Sequence, residues 1–534
     1  MVFTLQRYIF REAFKVFVLS AAALTVMMSI GSILRPVQEY GVGPRQVLDL
    51  MFYFLPITLT FVLPMAALFA ASLVYGRLAS DNELDACRAS GISLLTLVYP
   101  GAALAIMVAI ANLLLSFHVM PVFVQRAESA LKADAKQILF RNIERRSYYE
   151  LPPEGRYRIF ADFADSDSDT LFGVVVTEIK DNRVRRIISA ESASVRIDPH
   201  DRFNEVQIRA HNTNQVASED EGWFFAEYMS LTTEFGSLLG DDIKFKKVDE
   251  LKRIQADPMR FEPIERLARQ AYSQLTAELL AEDIGSRLTE EPSSIYRLYN
   301  AEETVWFRGD NCAVGDERQV QLTGKVVATE YDTATKARTR TLRCVRAVLH
   351  IEGDELAPTL TLELYSPTWE LADGTTGLAR RELIRGLVLP QAVTEKFASA
   401  DVLESVSPDA IAAALRAGPS AELSNLQSKL RLKIDRTLAE ISAETHTRLV
   451  FGIGCITLIL IGIGLGIMLK GGHLLTAFGT SSVPAGALIV CLMMGKNITK
   501  NPGAHAGSGI VLMWGALVCL SVLAVAIYRR LMRN

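Results

Sequence analysis

The sequence predicts an α-helical membrane bundle of six spans in a 3+3 arrangement, with a large, mainly-β external domain between spans three and four. Six apolar segments are long enough to cross a hydrocarbon layer of about 30 Å, which takes about 20 helical residues. The stretch between the third and fourth, near 126–448, is charged and contains no span. Within it, runs rich in β-branched and aromatic residues are bounded by turn formers, as strands are.

The predicted spans divide the chain into segments. The spans are Val16–Leu34, Leu50–Gly76, Ile92–Phe117, Leu449–Leu469, Leu474–Gly495 and Ser508–Tyr528. We therefore predict a first membrane half over 1–125 and a second over 448–534. Between them we predict a β-jellyroll-like domain over 126–252, an insertion or extension over 253–400 with a helix and further strands, and a helical stalk over 401–447.

The predicted strands of the external domain are joined by polar turns. They are Tyr157–Phe163, Leu171–Ile179, Arg183–Ile197, Asn204–Ala210, Trp223–Thr232, Val320–Tyr331, Arg338–Ile351 and Thr359–Tyr365. Helical spacing interrupts them at Glu262–Thr289 and again at Ser407–Thr447. Many short strands favour an antiparallel sandwich or jelly roll over a parallel sheet.

Basic residues near the span ends set the expected orientation. With the N-terminus in the cytoplasm, the inner side receives most of them, and the outer loops receive only a few. The inner set is Arg7, Arg11, Lys15, Arg77, Arg88, Lys470, Arg529, Arg530 and Arg533; the outer set is Arg35, Arg45, Lys496 and Lys500. We expect cytoplasmic termini and a periplasmic β domain.

Two cysteines, Cys312 and Cys344, lie in that external domain. In an oxidising compartment such a pair is a disulfide candidate. Two separate buried thiols are the alternative, because the sequence does not give their separation.

The search for catalytic chemistry is negative. The seven histidines form no metal-binding motif, and neither a nucleophile elbow nor a phosphate-binding loop is found. The chain is therefore predicted to be non-catalytic, to bind no cofactor or metal, and to depend on another chain for any ATP hydrolysis. Gly462 and Gly466, four residues apart in an apolar span, are predicted to let two membrane helices approach closely. The net charge of −4 does not indicate a class of partner. The sequence contains no basic patch interleaved with aromatic residues, which is the pattern that would suggest nucleic-acid binding.

One polar segment between spans two and three has the pattern of a short helix with its own start and stop. Ser80 and Glu83 have the spacing of a capping box, and Asp81 suits the helix start. Arg88 suits the last turn, and Gly91 is able to close the helix in a left-handed conformation. A charged helix held at the mouth of a membrane bundle is a typical contact for a soluble partner.

Four basic residues at the outer span ends are candidates for binding an anionic lipid headgroup: Arg35, Arg45, Lys496 and Lys500. A guanidinium at this depth is able to bind phosphate through paired hydrogen bonds. The alternative is an interfacial side chain that extends its charge to water.

Several motifs resemble the LptF/LptG (YjgP/YjgQ) permeases of the lipopolysaccharide-export ABC transporter. They are the opening run 7–12, Leu63-Pro64, the run 76–93, Asn112 with Pro121, and Glu444-Thr445-His446-Thr447-Arg448. The resemblance covers both membrane halves and part of the external domain, and the segment 253–400 resembles an insertion.

The resemblance implies a multi-pass subunit of the bacterial inner membrane. It implies a heterodimer with a second permease, a cytoplasmic ABC ATPase dimer, periplasmic jellyroll bridge proteins and an anionic glycolipid substrate. The helix at 77–90 would dock in the ATPase, with Glu83 as the acidic contact beside Arg77, Asp81 and Arg88, and Arg35 would meet lipid phosphate.

Two other functions remain open at this point. One is a mechanotransmitting ABC permease for lipoproteins or cell-wall signalling, which the 3+3 layout disfavours. The other is a membrane-anchored receptor or enzyme; the lack of a catalytic constellation disfavours the enzyme.

Overall fold

The computed structural model describes residues 2–533 except for gaps at 41–43, 134, 152–156, 167, 181–182, 200–203, 218–222, 236–241, 291–294, 301–302, 316–318, 334, 353–358, 397–400, 417, 470–473 and 502–505. The chain forms two compact units. The first comprises Met1–Lys252 and Thr437–Asn534, and the second comprises Arg253–Arg436.

Most helices of the first unit belong to the two membrane halves. Before the β region they are α1 (Val2–Tyr40), α2 (Pro44–Ser80), α3 (Glu83–Ala89), α4 (Leu94–Leu114), α5 (Met120–Ala133) and α6 (Ala135–Arg146), with a π-helical turn at Leu115–Val119. A 3₁₀ turn (Ile243–Phe245) and α7 (Val248–Ala256) follow that unit's sheet. The last three helices of the chain are α12 (Ala421–Met468), whose first residues belong to the second unit, α13 (Leu474–Lys500) and α14 (Ala506–Arg533).

Six of the described helices are long and apolar enough to cross a membrane. They include Phe3–Gly31, Met51–Ser80 and Leu94–Ala130 before the β-sheet region and Ala421–Met468, Ser482–Lys500 and Gly507–Arg533 after it. The predicted fold class is therefore confirmed: three spans, a large sheet region at about residues 148–388, and three spans.

Small residues set the closest helix crossings of the bundle. A Cβ atom added to Gly466 on α12 would lie 2.9 Å from the carbonyl oxygen of Ser72 and 3.1 Å from the nitrogen of Gly76, both on α2. A Cβ atom at Gly462 would lie 2.6 Å from Leu68. Since only glycine leaves room for a backbone at this distance, the predicted close approach at these two glycines is confirmed.

The first sheet is antiparallel and lies in the first unit. Its strands are β1 (Tyr148–Glu150), β2 (Tyr157–Phe160), β3 (Phe163–Asp165), β4 (Thr170–Lys180), β5 (Arg183–Pro199), β6 (Asn204–Ala217) and β7 (Trp223–Phe235). They pair in the order β1-β2-β4-β5-β6-β7, with β3 beside β4. One face packs on α6, where Leu171 and Val174 join Ile138 and Phe140 in a common core.

The second unit contains the other antiparallel sheet. Its strands are β8 (Tyr296–Tyr299), β9 (Glu303–Arg308), β10 (Asn311–Gly315), β11 (Gln319–Asp332), β12 (Arg338–Glu352), β13 (Thr359–Tyr365), β14 (Thr368–Leu371), β15 (Thr376–Leu378) and β16 (Arg381–Val388). Both β9 and β10 pair with β11, and both β13 and β14 pair with β12. The main path of the sheet is β15-β14-β12-β11-β9-β8. Each of the two long central strands, β11 and β12, therefore pairs along one edge with two shorter strands in succession.

A long helix forms the centre of the second unit. This helix, α8 (Glu262–Glu290), is accompanied by the shorter α9 (Gln391–Thr394), α10 (Val402–Ser405) and α11 (Pro408–Ala414). Every residue of α8 from Gln274 to Ala281 is buried, so the helix is covered on all sides there. Its buried Glu278 accepts hydrogen bonds from the backbone N–H of Ser420 (3.0 Å) and from the Ser420 hydroxyl. The carboxylate thereby lies at the positive N-terminal end of α12.

Cys312 and Cys344 do not form the candidate disulfide, because both are free thiols in the structure, in line with the alternative of two separate thiols. Cys312 on β10 pairs with Leu322 of β11, and Cys344 on β12 pairs with Val326 of that same strand. One strand thus separates the two cysteines, about 10 Å across the sheet. A disulfide needs Cα atoms no more than about 7 Å apart.

We expect both thiols to remain unlinked in the mature protein. Alkylation under denaturing, non-reducing conditions should modify Cys312 and Cys344 completely in a peptide map. In the folded protein Cys312 should react slowly, because burial raises the pKa of its thiol to about 12 and leaves little thiolate near neutral pH. A peptide pair released only by a reductant would contradict this.

Candidate functional site

The polar segment between the second and third membrane helices folds as a separate short helix. α2 continues to Ser80, and Asn82 in a left-handed conformation (φ 57°) reverses the chain ahead of α3. At the other end, Gly91 adopts φ 80°. Its N–H bonds the Arg88 carbonyl at 2.9 Å, and the N–H of Ile92 bonds the Cys87 carbonyl at 3.1 Å. These paired bonds form a Schellman motif, so the predicted closure at Gly91 is confirmed.

The predicted capping box between Ser80 and Glu83 is wrong. Ser80 is the last residue of α2, and its hydroxyl donates to the carbonyl of Arg77 at 3.0 Å, inside its own helix. The residue that precedes α3 is Asn82, which makes no side-chain capping bond. The Glu83 carboxylate is therefore not used to cap the helix.

A single apolar residue anchors α3 to the bundle while its charges face outward. Leu84 is 3 % exposed and packs in the core that α1, α2 and α4 share. Asp81, Glu83 and Arg88 are exposed. Within the described part of the chain, Glu83 and Arg88 make no ion pair and no side-chain hydrogen bond. α3 thus presents a carboxylate and a guanidinium on a held, exposed helix.

Arg77, one of the four residues predicted to contact the ATPase, lies in the last turn of α2 and forms an ion pair within the bundle. Its guanidinium lies 3.4 Å from the carboxylate of Glu12 on α1, which also approaches Lys15 at 3.5 Å. The Arg77 side chain is still 38 % exposed. Arg77 therefore ties α2 to α1 close to α3 and remains accessible.

Near the same end of the bundle, proline interrupts α4, and neighbouring helices supply the missing hydrogen bonds. Pro100 has no N–H for the Thr96 carbonyl, which accepts a hydrogen bond from Gln6 Nε2 of α1 at 3.4 Å. The hydroxyl of Tyr75 on α2 donates to the Leu97 carbonyl at 2.9 Å and accepts from the Gly101 N–H at 3.0 Å. A tyrosine hydroxyl is thus inserted in the backbone ladder of α4.

A buried charge cluster joins α12 and α13. The Arg448 side chain is 3 % exposed, and its Nε atom lies 3.1 Å from Glu444 Oε1. Lys496 Nζ lies 2.5 Å from the other carboxylate oxygen of Glu444. The Arg448 guanidinium also donates to the Lys244 carbonyl at 2.7 Å. The Lys246 carbonyl also accepts from it at 3.5 Å, so the buried cation is paired with one carboxylate and two backbone oxygens.

The four candidates for headgroup binding fall into two groups. Lys496 and Lys500, on the last turns of α13, are ion-paired with Glu444 and Glu440, and their side chains are 24 % and 32 % exposed. The structure thus brings these two lysines together but gives each an acidic partner. The side chains of Arg35 and Arg45 lie outside the described residues.

The 3₁₀ turn that follows the first sheet continues this charged region. Burial alone would raise the pKa of Asp242, but hydrogen bonds from Lys244 and the charges of Lys244 and Lys500 outweigh it. The pKa of Asp242 is therefore lower than usual, and the carboxylate stays ionised near neutral pH.

The outward face of the first sheet carries many exposed aromatic and aliphatic side chains. Phe160 lies between Tyr148 and Val175 in the cross-strand register, Phe163 pairs with Phe172, and Ile187 pairs with Val216. The exposed side chains of this face are Tyr148, Phe160, Phe163, Phe172, Ile187, Val216, Phe225 and Tyr228. Polar residues lie between some of them in the register, such as Ser189 and Asn214 between Val175 and Phe225. A group of exposed aromatic and aliphatic side chains is typical of a site that binds lipid or protein. We call it the aromatic face.

Sequence reasoning missed three parts of this arrangement. The aromatic face was missed because alternation shows which residues share a face but not whether that face is covered. The sequence shows Pro100 in span three, but it does not show that Gln6 and Tyr75 donate hydrogen bonds to the backbone carbonyls near it. The i,i+4 pair Glu444 and Arg448 is readable from the sequence as a helical ion pair, whereas Lys496 joins it only through the helix crossing.

These features define a multi-pass membrane subunit that exposes a short polar helix at one end of its bundle and carries a β-sheet with an aromatic face. The sequence matches the model of the family described as lipopolysaccharide export system permease LptF/LptG, over residues 7–285 and 349–530. The chain belongs to this family. It is a non-catalytic transmembrane subunit of the lipopolysaccharide export system and part of the Lpt transporter complex.

Comparison with curated proteins gave no match. The family assignment confirms the resemblance seen in the sequence. Residues 286–348, within the second unit, lie outside the matched segments.

Proposed function

We propose that this chain converts ATP hydrolysis on a separate cytoplasmic ABC ATPase dimer into extraction of lipopolysaccharide, or a related glycolipid, from the inner membrane. The observation that carries the proposal is α3: it is anchored by Leu84 and closed by Gly91, and its Glu83 carboxylate is exposed and unpaired within the described residues. Such a carboxylate is available to a partner without cost to its own helix.

The proposed orientation places α3 and both termini in the cytoplasm and the sheet region in the periplasm. The excess of basic residues on the α3 side of the spans supports it. A second permease of the same family would complete the membrane path as a heterodimer.

The lipid headgroup would first meet the basic residues at the outer ends of the spans: Arg35, Arg45, Lys496 and Lys500. Lys496 and Lys500 support this role because their side chains stay partly exposed while paired with Glu444 and Glu440. An incoming phosphate would compete with these carboxylates for the two ammonium groups.

The aromatic face supports the next step of the proposed path. Acyl chains that leave the membrane need an apolar surface, and the exposed Phe163, Phe172 and Tyr228 provide one on the first sheet. The lipid would then pass to a periplasmic jellyroll bridge protein.

Reversal of the charge at position 83 tests the coupling. Glu83→Lys should leave the protein inserted and abolish ATP-driven release of lipopolysaccharide from proteoliposomes, because a cation replaces the carboxylate that the ATPase contacts. The release rate of Glu83→Gln should lie between that of Glu83→Lys and that of the wild type.

The matched control is Glu422→Lys, which makes the same charge reversal at an exposed residue in the first turn of α12. It should export normally. Export by Glu83→Lys at the wild-type rate would refute the coupling role of α3.

A further inference from the structure

The second unit carries a surface rich in arginine on the outward side of its sheet. We call it the arginine face and define it as Arg297, Arg308, Arg338, Arg343, Arg346 and Arg381. All of these except Arg381 lie in residues 286–348, outside the segments that match the family. The family assignment therefore does not account for this surface.

The strand register places these side chains on one face. Val327 pairs with Arg308 on one side and Arg343 on the other. Tyr365 likewise lies between Arg346 and Arg381. Phe307, Leu342 and Ala347, which adjoin Arg308, Arg343 and Arg346 along their strands and point to the opposite face, are each 0 % exposed. Since side chains alternate along a strand, the arginines point away from the core.

Aromatic rings and one carboxylate hold several of these guanidinium groups in place. Arg297 stacks over Trp306 at 4.5 Å, and Arg346 and Arg381 lie 5.1 and 5.6 Å from the ring of Tyr365. Arg338 and Arg343 both approach Glu370, at 3.7 and 3.0 Å. Guanidinium groups ordered in advance lose less entropy when they bind a ligand.

The arginine face is cationic in a chain whose net charge is −4. Two carboxylates contact these arginines within the described residues. Glu370 is shared by Arg338 and Arg343, and the buried Glu363 is paired with His350 and Arg381. The cations are all guanidinium groups, whose planar fork fits phosphate through two parallel hydrogen bonds. Arg308 and Arg343 are two strands apart, about 10 Å, a spacing suited to separate phosphates on one molecule.

We propose that the arginine face binds the phosphorylated sugar headgroup of the exported glycolipid. This inference rests on the proposed function, because it requires the second unit to lie on the side to which the lipid is delivered. The charge complementarity favours a polyanionic glycan that presents several phosphates over an apolar ligand.

The probe is the water-soluble phosphorylated oligosaccharide obtained by complete deacylation of lipopolysaccharide, with its enzymatically dephosphorylated form as the ligand control. Binding to the full chain in detergent is measured by calorimetry. The combined variant Arg308→Gln, Arg343→Gln and Arg346→Gln should weaken binding at least about tenfold, because charge-assisted hydrogen bonds are lost. The corresponding triple lysine variant should recover only part of the affinity, since lysine lacks the fork.

The matched protein control removes the same charge elsewhere in the second unit, by Arg260→Gln, Arg269→Gln and Arg416→Gln. This control should bind like the wild type. The proposal is overturned if the triple glutamine variant of the arginine face binds the oligosaccharide as tightly as the wild type does. It is equally overturned if that variant and the triple glutamine control lose the same affinity. It is also overturned if the dephosphorylated glycan binds as tightly, or if only vesicles of phosphatidylglycerol bind.

Transport separates the two proposals. If Glu83→Lys blocks export but the wild-type chain does not bind the phosphorylated oligosaccharide, the proposed function stands and the arginine face has no role in lipid recognition. If the oligosaccharide binds at the face while Glu83→Lys exports normally, the coupling proposal fails and the glycan site remains.

Discussion

Glu444→Leu is expected to lower the free energy of unfolding of the bundle by about 3–5 kcal/mol, the usual effect of leaving a buried charge without its partner. Arg448, with a side chain only 3 % exposed, would keep its charge in the protein interior, and Lys496 would lose the same carboxylate. The measurement is equilibrium unfolding of the purified chain in mixed micelles.

Two further variants make this expectation specific. Glu444→Leu combined with Arg448→Leu should recover part of the loss, because the second substitution removes the cation that the first leaves unpaired. Glu440→Leu breaks the more exposed pair with Lys500 and should cost about 1 kcal/mol or less. Equal losses for Glu444→Leu and Glu440→Leu would show that burial does not determine the strength of these pairs.

Gly466→Leu is expected to separate α12 from α2 and to destabilise the bundle by about 1–3 kcal/mol, as overpacking of a tight site does. The atoms that a side chain would meet are the Ser72 carbonyl oxygen and the Gly76 nitrogen, which are backbone and have no rotamer to adopt. Because Gly76 is adjacent to Arg77, the displacement should also reach α3 and reduce export. Distances between spin labels on α2 and α12 should increase.

The control for this variant is Gly486→Leu in α13, where an added Cβ meets no atom within 4 Å. It should unfold like the wild type in micelles. An unchanged interhelical distance in Gly466→Leu would mean that α12 accommodates the side chain by rotation, and the crossing would not depend on glycine.

The sequence was sufficient for features that depend on local pattern. Runs of apolar residues located the six spans, and alternation located long strands such as β5 and β12 within a few residues. The predicted strands do not include β1, β3, β8, β10, β14 and β15, because three to five residues carry too little pattern. They also do not include the longer β9 and β16. The glycine pair 462 and 466 was recognised because a four-residue spacing in a membrane helix has a direct steric meaning.

The candidate site was predictable in position but not in its bonding. The Ser80 and Glu83 spacing indicated a capping box, but α2 continues through Ser80 because the helical ladder outweighs a local side-chain cap. The sequence does not show that Lys496 is ion-paired, because the carboxylate of Glu444 lies on a helix distant in sequence. The compartment makes Cys312 and Cys344 a disulfide candidate, whereas the strand order keeps them apart.

The polar links at Pro100 restrict how the first three membrane helices move relative to one another. A shift of α2 along α4 by one residue would leave the Leu97 carbonyl without Tyr75, and a similar shift of α1 would leave the Thr96 carbonyl without Gln6. At the buried Tyr75 link no water replaces the lost partner, and an unsatisfied group there costs several kcal/mol. These links oppose sliding, so we expect α1, α2 and α4 to move together as one body at this end of the bundle. We therefore expect a displacement of α2 or α4 at this end to carry the other helix with it.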